Sequence, residues 1–337
     1  MTVDKLPTRI KLESTTACQL RCPLCPTASG EVGRSLGTKN LKFENFKKFL
    51  DENSYVKEVE LSNWGELFLN PEIIDIIKYA HSKSVLLTAD NGSNLNTVSD
   101  EVLEALVLYK FKSITCSIDG VSQEVYSKYR VRGNVERVFE NIKKINHFKK
   151  IHKTPYPYLL WQYVAFGHNE HEILEAKKKA RKLNMTFHLK LNYDESFSPV
   201  KNKDLVKKLS GLDVSSRSEY KKKYNKAHNS GLCYQLWNNP QINSDGRLLG
   251  CCINYWGDFG NAFQTPLADL MNSSNYQYAR SMLMGQVKEK EGIPCSSCSI
   301  YKERKLAGHW ISPKDFMPPS LSTRIYRKVK RLFKRFF

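Results

Sequence analysis

Arg9-Ile-Lys-Leu-Glu-Ser-Thr15-Thr-Ala-Cys18-Gln-Leu-Arg-Cys22-Pro-Leu-Cys25 begins as a β-rich run and passes directly into three cysteines spaced C-x3-C-x2-C. Three thiols on so short a loop surround one small volume, with no fourth beside them. Thiolates are the soft ligands of iron-sulfur clusters, and a 4Fe-4S cluster held by three of them keeps one iron open to an outside ligand. A zinc site closes with four ligands, and no His or Cys follows at a suitable local spacing. Unpaired core thiols are the other alternative.

Outward from this loop the chain alternates short β-rich runs with longer helical patterns, as parallel strands joined by crossover helices do. Strands are expected at Arg9–Thr15, Val56–Asn63, Val85–Asp90, Ser113–Asp119, Tyr156–Phe166 and Thr186–Tyr193. Helices are expected at about Phe43–Glu52, Pro71–Lys83, Asp100–Lys110, Val135–His152 and Glu170–Leu183. Ile73, Ile74, Ile77 and Ala80 carry the spacing of a helix packed on a sheet, and Pro71 suits its first turn. Six β/α units are too few to close an eight-stranded barrel. The expected fold is therefore α/β, a partial (β/α)6 TIM-like barrel followed by a smaller C-terminal domain, with ligands at the carboxyl ends of the strands. The cysteine loop follows the first strand at that end.

The cysteine loop resembles the signature of the radical S-adenosylmethionine (SAM) superfamily. The resemblance implies that the methionine amine and carboxylate chelate the open iron, and that reductive cleavage releases a 5′-deoxyadenosyl radical. Trp64-Gly65-Glu66, after the second strand, is similar to the family's Gly-Gly-Glu motif, with tryptophan replacing the first glycine. In the family this backbone and carboxylate receive the methionine ammonium, which implies a cofactor role for Trp64, Gly65 and Glu66. Along Ser113–Gly120 side chains alternate, so Thr115, Ser117 and Asp119 share one face while Ile114, Cys116 and Ile118 share the other. Ser117 and Asp119 resemble the family's Ser-x-Asp-Gly motif, implying contact with ribose or methionine groups, and Cys116 reads as a packed thiol. Arg130, with Arg132 as its rival, is the expected partner of the methionine carboxylate. Asp90-Asn91-Gly92 and Gln162 stand at strand ends that reach cofactor or substrate.

Cys233, Gly246, Cys251 and the pair Cys295-Ser-Ser-Cys298 resemble the start of the auxiliary-cluster module called SPASM, in its shortened twitch form, as in 2-deoxy-scyllo-inosamine dehydrogenase-like enzymes. This implies that Cys233, Cys251, Cys295 and Cys298 hold a second cluster, so that the cofactors are two 4Fe-4S clusters and S-adenosyl-L-methionine. Four thiolates satisfy zinc equally well; the three-cysteine motif in the same chain favours the cluster. Gln241–Cys251 is expected to form a β-hairpin turning at Asp245-Gly246. Phe259-Gly-Asn261 and a helical stretch over Pro266–Gly285 also resemble the module. Cys252 is surplus, a hydrogen donor, a substitute ligand or a buried thiol.

The 337 residues divide into an expected core at 1–193, a basic linker region at 194–231, the auxiliary domain at 232–312 and a tail at 313–337. Met1-Thr-Val-Asp-Lys-Leu-Pro lacks the apolar stretch of a secretory signal, so the chain is expected in the reducing cytoplasm, where cysteines read as metal ligands rather than disulfides. No run approaches the ~18 apolar residues of a membrane-spanning helix. Net charge is +19, and more than half of the excess lies in 194–231 and 313–337. No nucleic-acid motif accompanies it. In the tail, Ile325, Val329, Leu332 and Phe336 share one helical face ringed by Lys and Arg, a pattern that suits peripheral contact with the inner face of an anionic membrane.

The resemblance implies an oxidoreductase. The first expectation is oxidation of an alcohol in a sugar or aminocyclitol, free or attached to a nucleotide or lipid carrier, with the auxiliary cluster accepting the second electron. Redox-neutral epimerisation with Cys252 as hydrogen donor, and peptide modification, are the alternatives. An external electron donor such as flavodoxin or ferredoxin is the expected partner. A noncatalytic binding protein is argued against by the intact cysteine loop.

Overall fold

The computed structural model describes residues 6–312 and Asp315, so the basic tail otherwise lies outside the described residues. The first strand, β1 (Arg9–Leu12), is followed by the cysteine loop, α1 (Glu31–Leu36) and α2 (Phe43–Glu52). Then come β2 (Glu58–Glu60), α3 (Ile73–Ser82), β3 (Leu86–Ser93), α4 (Asp100–Leu108) and β4 (Ser113–Ser117). Next are α5 (Gln123–Tyr129), α6 (Val135–Ile151), β5 (Tyr158–Val164), α7 (Ile173–Lys182) and β6 (Thr186–Lys190).

Alternation along each strand separates two environments. Ile10, Leu12, Val59, Ile114, Cys116 and Trp161 are fully buried under the helices, while Lys11, Glu60, Thr115, Ser117 and Gln162 turn to the inner face. The helices meet the outer face through apolar stripes such as Phe46, Phe49 and Leu50 of α2 or Val138, Phe139, Ile142 and Ile145 of α6. Side chains at the helix starts satisfy free amides: Ser99, Ser122 and Asn134 accept from Val102, Val125 and Arg137 at the heads of α4, α5 and α6.

The sheet is wholly parallel and has seven strands in the order β6-β5-β4-β3-β2-β1-β7. Six are those expected from the sequence. The seventh, β7 (Gln241–Ile242), comes from the C-terminal module and pairs with β1 through Lys11 opposite Gln241. The expected hairpin is present beside it. Ile242 pairs antiparallel with Leu248, and the Asn243 amide donates to the Arg247 carbonyl at 2.9 Å. Gly246 turns this corner at φ 91°, and a Cβ there would lie 2.3 Å from Asn261 Oδ1, so the hairpin and Phe259-Gly-Asn261 fit together only around a glycine.

Several boundaries differ from expectation. Strand β3 continues past Asp90 to Ser93 with a register shift between Ala89 and Ser93. Pro71 precedes α3, which begins at Ile73, and helices α1 and α5, too short to show a sequence period, were not expected. The linker region 194–231 does carry the helix its sequence suggests at 203–209 and 217–227, as α8 (Lys203–Ser210) and α9 (Arg217–Tyr224), with Val206 and Val214 buried. Beyond them lie α10 (Gln235–Asn238), α11 (Leu267–Asn272), α12 (Ser274–Leu283) and α13 (Ser299–Leu306). The stretch expected as one helix breaks at Ser273, whose hydroxyl accepts from the Tyr276 amide and so starts a new helix.

Candidate functional site

Parallel strands deliver their following loops to one end of the sheet, and there the segments after β1 to β4 and β6, with the end of β5, surround a cavity of about 290 Å³. Cys18, Cys22 and Cys25 line it together with Trp64, Gly65, Glu66, Ser117, Arg130 and Gln162. Asn91 and Gly92 reach it as well, whereas Asp90 faces away and joins Arg9 and Ser113. Arg130 lies in the cavity; its rival Arg132 is exposed. Asp119 is fully buried and lies outside the lining. Its carboxylate holds Arg130 Nε at 2.7 Å and the Val164 amide at 2.7 Å, and Arg130 in turn directs a guanidinium nitrogen to Cys22 Sγ at 3.6 Å. Asp119 therefore positions the arginine that faces the thiols.

Close approach explains the glycine of the β2 loop. A Cβ on Gly65 would lie 2.0 Å from the Thr15 oxygen and 2.6 Å from the Ala17 oxygen, and the Glu66 amide donates to Ala17 at 2.8 Å. The loop after β2 is thus laid directly on the segment that leads into the cysteines. Glu66 itself is 2% exposed, and its carboxylate accepts from Ser93 Oγ at 2.7 Å and the Asn94 amide at 2.6 Å. Burial lifts its pKa to about 7 despite those donors. Gly92, at φ 136°, leaves room for Ser117, whose Oγ would lie 2.6 Å from a Cβ there.

Sequence reasoning passed over Glu13. Its fully buried carboxylate accepts from the Trp64 amide at 2.8 Å and the Gly65 amide at 3.3 Å, gripping the loop from below. Burial pushes its pKa up to about 8. A glutamate where the strand alternation turns inward was the available signal. The Trp64 side chain leaves the cavity floor to pack with Val32, Leu36 and Leu249, its ring edge-on to Tyr255 at 5.4 Å. The residue that departs from the family pattern is thus a bridge to the C-terminal module.

In that module Cys233, Cys251, Cys295 and Cys298 line one apolar pocket with Leu232, Leu236, Ile253, Trp256, Leu283 and Tyr301. Among the described residues no three His, Cys, Asp or Glu side chains stand close enough to clasp a single metal ion. Four thiols lining one apolar pocket are soft donors that suit an iron-sulfur cluster. The first site passes a similar test: three thiols converge on a cavity in which Gln162 Oε1 is buried without a partner, open to a ligand that donates. Cys18 is pushed up to about 12 by burial and by the nearby Glu66, Cys22 and Cys25, a crowding of negative charge that a cationic iron centre relieves. Cys252 is excluded from the four-thiol pocket, and its Sγ lies 3.4 Å from Gln235 Nε2.

Comparison with known proteins agrees with this geometry. The radical SAM superfamily profile matches residues 12–180, and that of SPASM, an iron-sulfur cluster-binding domain, matches 233–299. Streptococcus suis SuiB bound to S-adenosylmethionine superposes with a TM-score of 0.61 at 14% identity, over 88% of this chain and 72% of that one. Native anSMEcpe with bound AdoMet gives 0.56 at 14% identity over 87% of each chain. BtrN in complex with AdoMet and 2-DOIA reaches 0.49 at 14% identity, over 88% of this chain and 94% of that one. At these identities the likeness to SuiB and anSMEcpe is one of fold. No curated protein matches the sequence. With more than half of its length matched by the superfamily profile and its thiols gathered at two sites, the chain belongs to the radical SAM superfamily, enzymes that generate a 5′-deoxyadenosyl radical, and carries a C-terminal SPASM domain.

Proposed function

We propose that the protein is a radical SAM enzyme that oxidises a peptide by two electrons. The reading rests on the cavity that unites the three-cysteine loop with Glu66, Ser117, Arg130 and Gln162 and stands beside the four-thiol pocket. The peptide class is favoured because SuiB and anSMEcpe, the structures of like fold, have also been solved with peptides, SuiA precursor and Cp18Cys respectively. Cys18, Cys22 and Cys25 would hold one 4Fe-4S cluster and Cys233, Cys251, Cys295 and Cys298 another. When bound, these supply the electron that cleaves S-adenosylmethionine and an acceptor for the electron that the substrate gives up.

The protein's own groups do the rest. Arg130, fixed by Asp119, would meet the methionine carboxylate, and the Trp64–Glu66 backbone would meet its ammonium. Ser117 and Gln162, which line the same cavity, would be available to the ribose. With the cofactor bound, the substrate would give up one hydrogen atom, recovered in 5′-deoxyadenosine, then one proton to solvent and one electron to the cluster of the C-terminal module.

Oxidation of a sugar or aminocyclitol is the second reading. It is favoured by the polar inner wall, where Ser117, Gln162 and His188 stand in register across β4, β5 and β6 and suit a polyhydroxylated substrate. Reconstituted protein given S-adenosylmethionine, dithionite and separate peptide and small-polyol fractions distinguishes them. The peptide reading expects 5′-deoxyadenosine above background with a peptide lighter by two hydrogens. A new carbonyl in the polyol fraction, with peptides unchanged, would overturn it.

A further inference from the structure

Lys190 ends β6 opposite Val164 of β5, and His188 stands opposite Gln162. Register partners in a parallel sheet present side chains to the same face, and Val164 and Gln162 both line the radical cavity. Phe187 and Leu189, between them, pack into the core on the other face. Lys190 and His188 are therefore set on the cavity side of the sheet, at the edge beyond its lining.

Arg217 reaches the same place from the start of α9. The Asn192–Ser216 bridge holds that start against the segment after β6, and the Arg217 guanidinium lies 5.4 Å from the ring of Tyr193, itself a cavity residue. Its Nε is buried without a hydrogen-bond partner. Among the described residues no carboxylate pairs with Lys190 or Arg217; Asp119, a carboxylate whose charge bears on Lys190, is already committed to Arg130 and the Val164 amide. His228 adds a further basic group beside both. Burial, with Arg217 next to it, draws the Lys190 ammonium down to about 8.

Two desolvated cations without an acid are destabilising in the free protein, and an arriving anion relieves the cost. Surface cations elsewhere in the chain are exposed and many are paired, as Lys203 is with Glu219 and Lys221 with Glu303. Lys190 and Arg217 thus stand at the rim of the radical cavity, beside Val164 and Tyr193 of its lining. That is where the part of a substrate remote from the reacting carbon would extend.

We infer that Lys190 and Arg217 anchor a dianionic phosphate carried by the substrate, holding it at the rim so that the reacting carbon is presented to the cavity. An ammonium point charge and a planar guanidinium fork together match the charge and the several oxygens of a phosphate monoester. The inference rests on the radical reading of the cavity for its purpose, and adds that the substrate is phosphorylated.

The test measures binding of inorganic phosphate, with acetate as a monoanionic comparison, to the reconstituted full chain by calorimetry. Formation of 5′-deoxyadenosine by the same wild-type preparation is assayed in parallel. Saturable phosphate binding is expected, at least about tenfold weaker in Lys190→Gln and in Arg217→Gln, retained in Lys190→Arg, and unchanged in the exposed control Lys201→Gln. No saturable binding, equal binding by wild type and both neutral variants, or acetate held as tightly as phosphate would overturn the anchor. Such a failure with 5′-deoxyadenosine still formed leaves the radical reading standing; phosphate binding without 5′-deoxyadenosine supports the anchor and overturns the radical reading.

Discussion

Asn63 Nδ2 donates a 3.0 Å hydrogen bond to the backbone oxygen of Cys252, joining the loop after β2 to the residue next to Cys251. The Asn63 Oδ1 accepts from Asn91 Nδ2 at 2.6 Å, so one amide ties two loops of the radical cavity to the four-thiol module. Nearby, the edge-on Trp64–Tyr255 contact makes a second tie between the same parts. Asn63→Ala leaves the Cys252 carbonyl without this donor, an expected cost of about 1–2 kcal/mol in denaturant titration. It should also raise the amount of 5′-deoxyadenosine formed per product, because the module proposed to take the second electron is held less firmly. Unchanged stability and unchanged coupling would remove Asn63 from this role.

The two thiol sites should load independently. Reconstituted protein is expected to hold about eight irons, and the combined change of Cys18, Cys22 and Cys25 to Ala about four, with 5′-deoxyadenosine formation abolished. Zinc rather than iron in the four-thiol pocket after anaerobic preparation would contradict an electron-accepting role for it.

Gly65 tolerates no side chain, since a Cβ would overlap the Thr15 and Ala17 carbonyls, both backbone and unable to swing aside. Gly65→Ala should lower stability by about 3 kcal/mol or more and weaken S-adenosylmethionine binding. Gly211→Ala, where no atom lies within 4 Å but φ is 69°, should cost only about 1 kcal/mol. Equal midpoints for the two variants in thermal unfolding would refute the close-approach account.

Glu13 gives the fold a pH dependence. Its native pKa of about 8 lies above the ordinary 4.5, so the folded state favours the protonated acid. Its contribution is fully present below 4.5 and is lost as pH rises through 8. Glu13→Gln cannot ionise, so the stability of wild type relative to this variant should fall as pH rises from 4.5 towards 8, measured as paired urea midpoints. A constant difference across that interval would show that Glu13 does not titrate there.

The basic tail provides a prediction from sequence alone. Removing the residues after Pro319 should abolish salt-sensitive binding to anionic vesicles while both thiol sites load iron as before, because no residue assigned to them lies beyond that point. Equal partition of full-length and shortened protein onto such vesicles at low salt would reject membrane contact.

Local rules determined what was legible in advance. The C-x3-C-x2-C spacing confines three thiols whatever the rest of the chain does, and two-residue alternation alone puts Ser117 on the inner face and Cys116 under the helices, where each is found. Asp119 shows the limit of that rule: the inner face was read correctly, but a partner at Arg130 absorbs the carboxylate and keeps it out of the cavity lining. Long-range closure decided the rest. The Trp64 amide finds Glu13 across 51 positions, and Gln241 extends the sheet beside Lys11 from the far end of the chain. Lys190 and Arg217 become neighbours only because α9 returns against the end of β6. Periodicity specifies the face on which a side chain stands; which distant group shares that face, and hence whether its charge is paired, follows only when the strands and the module pack together.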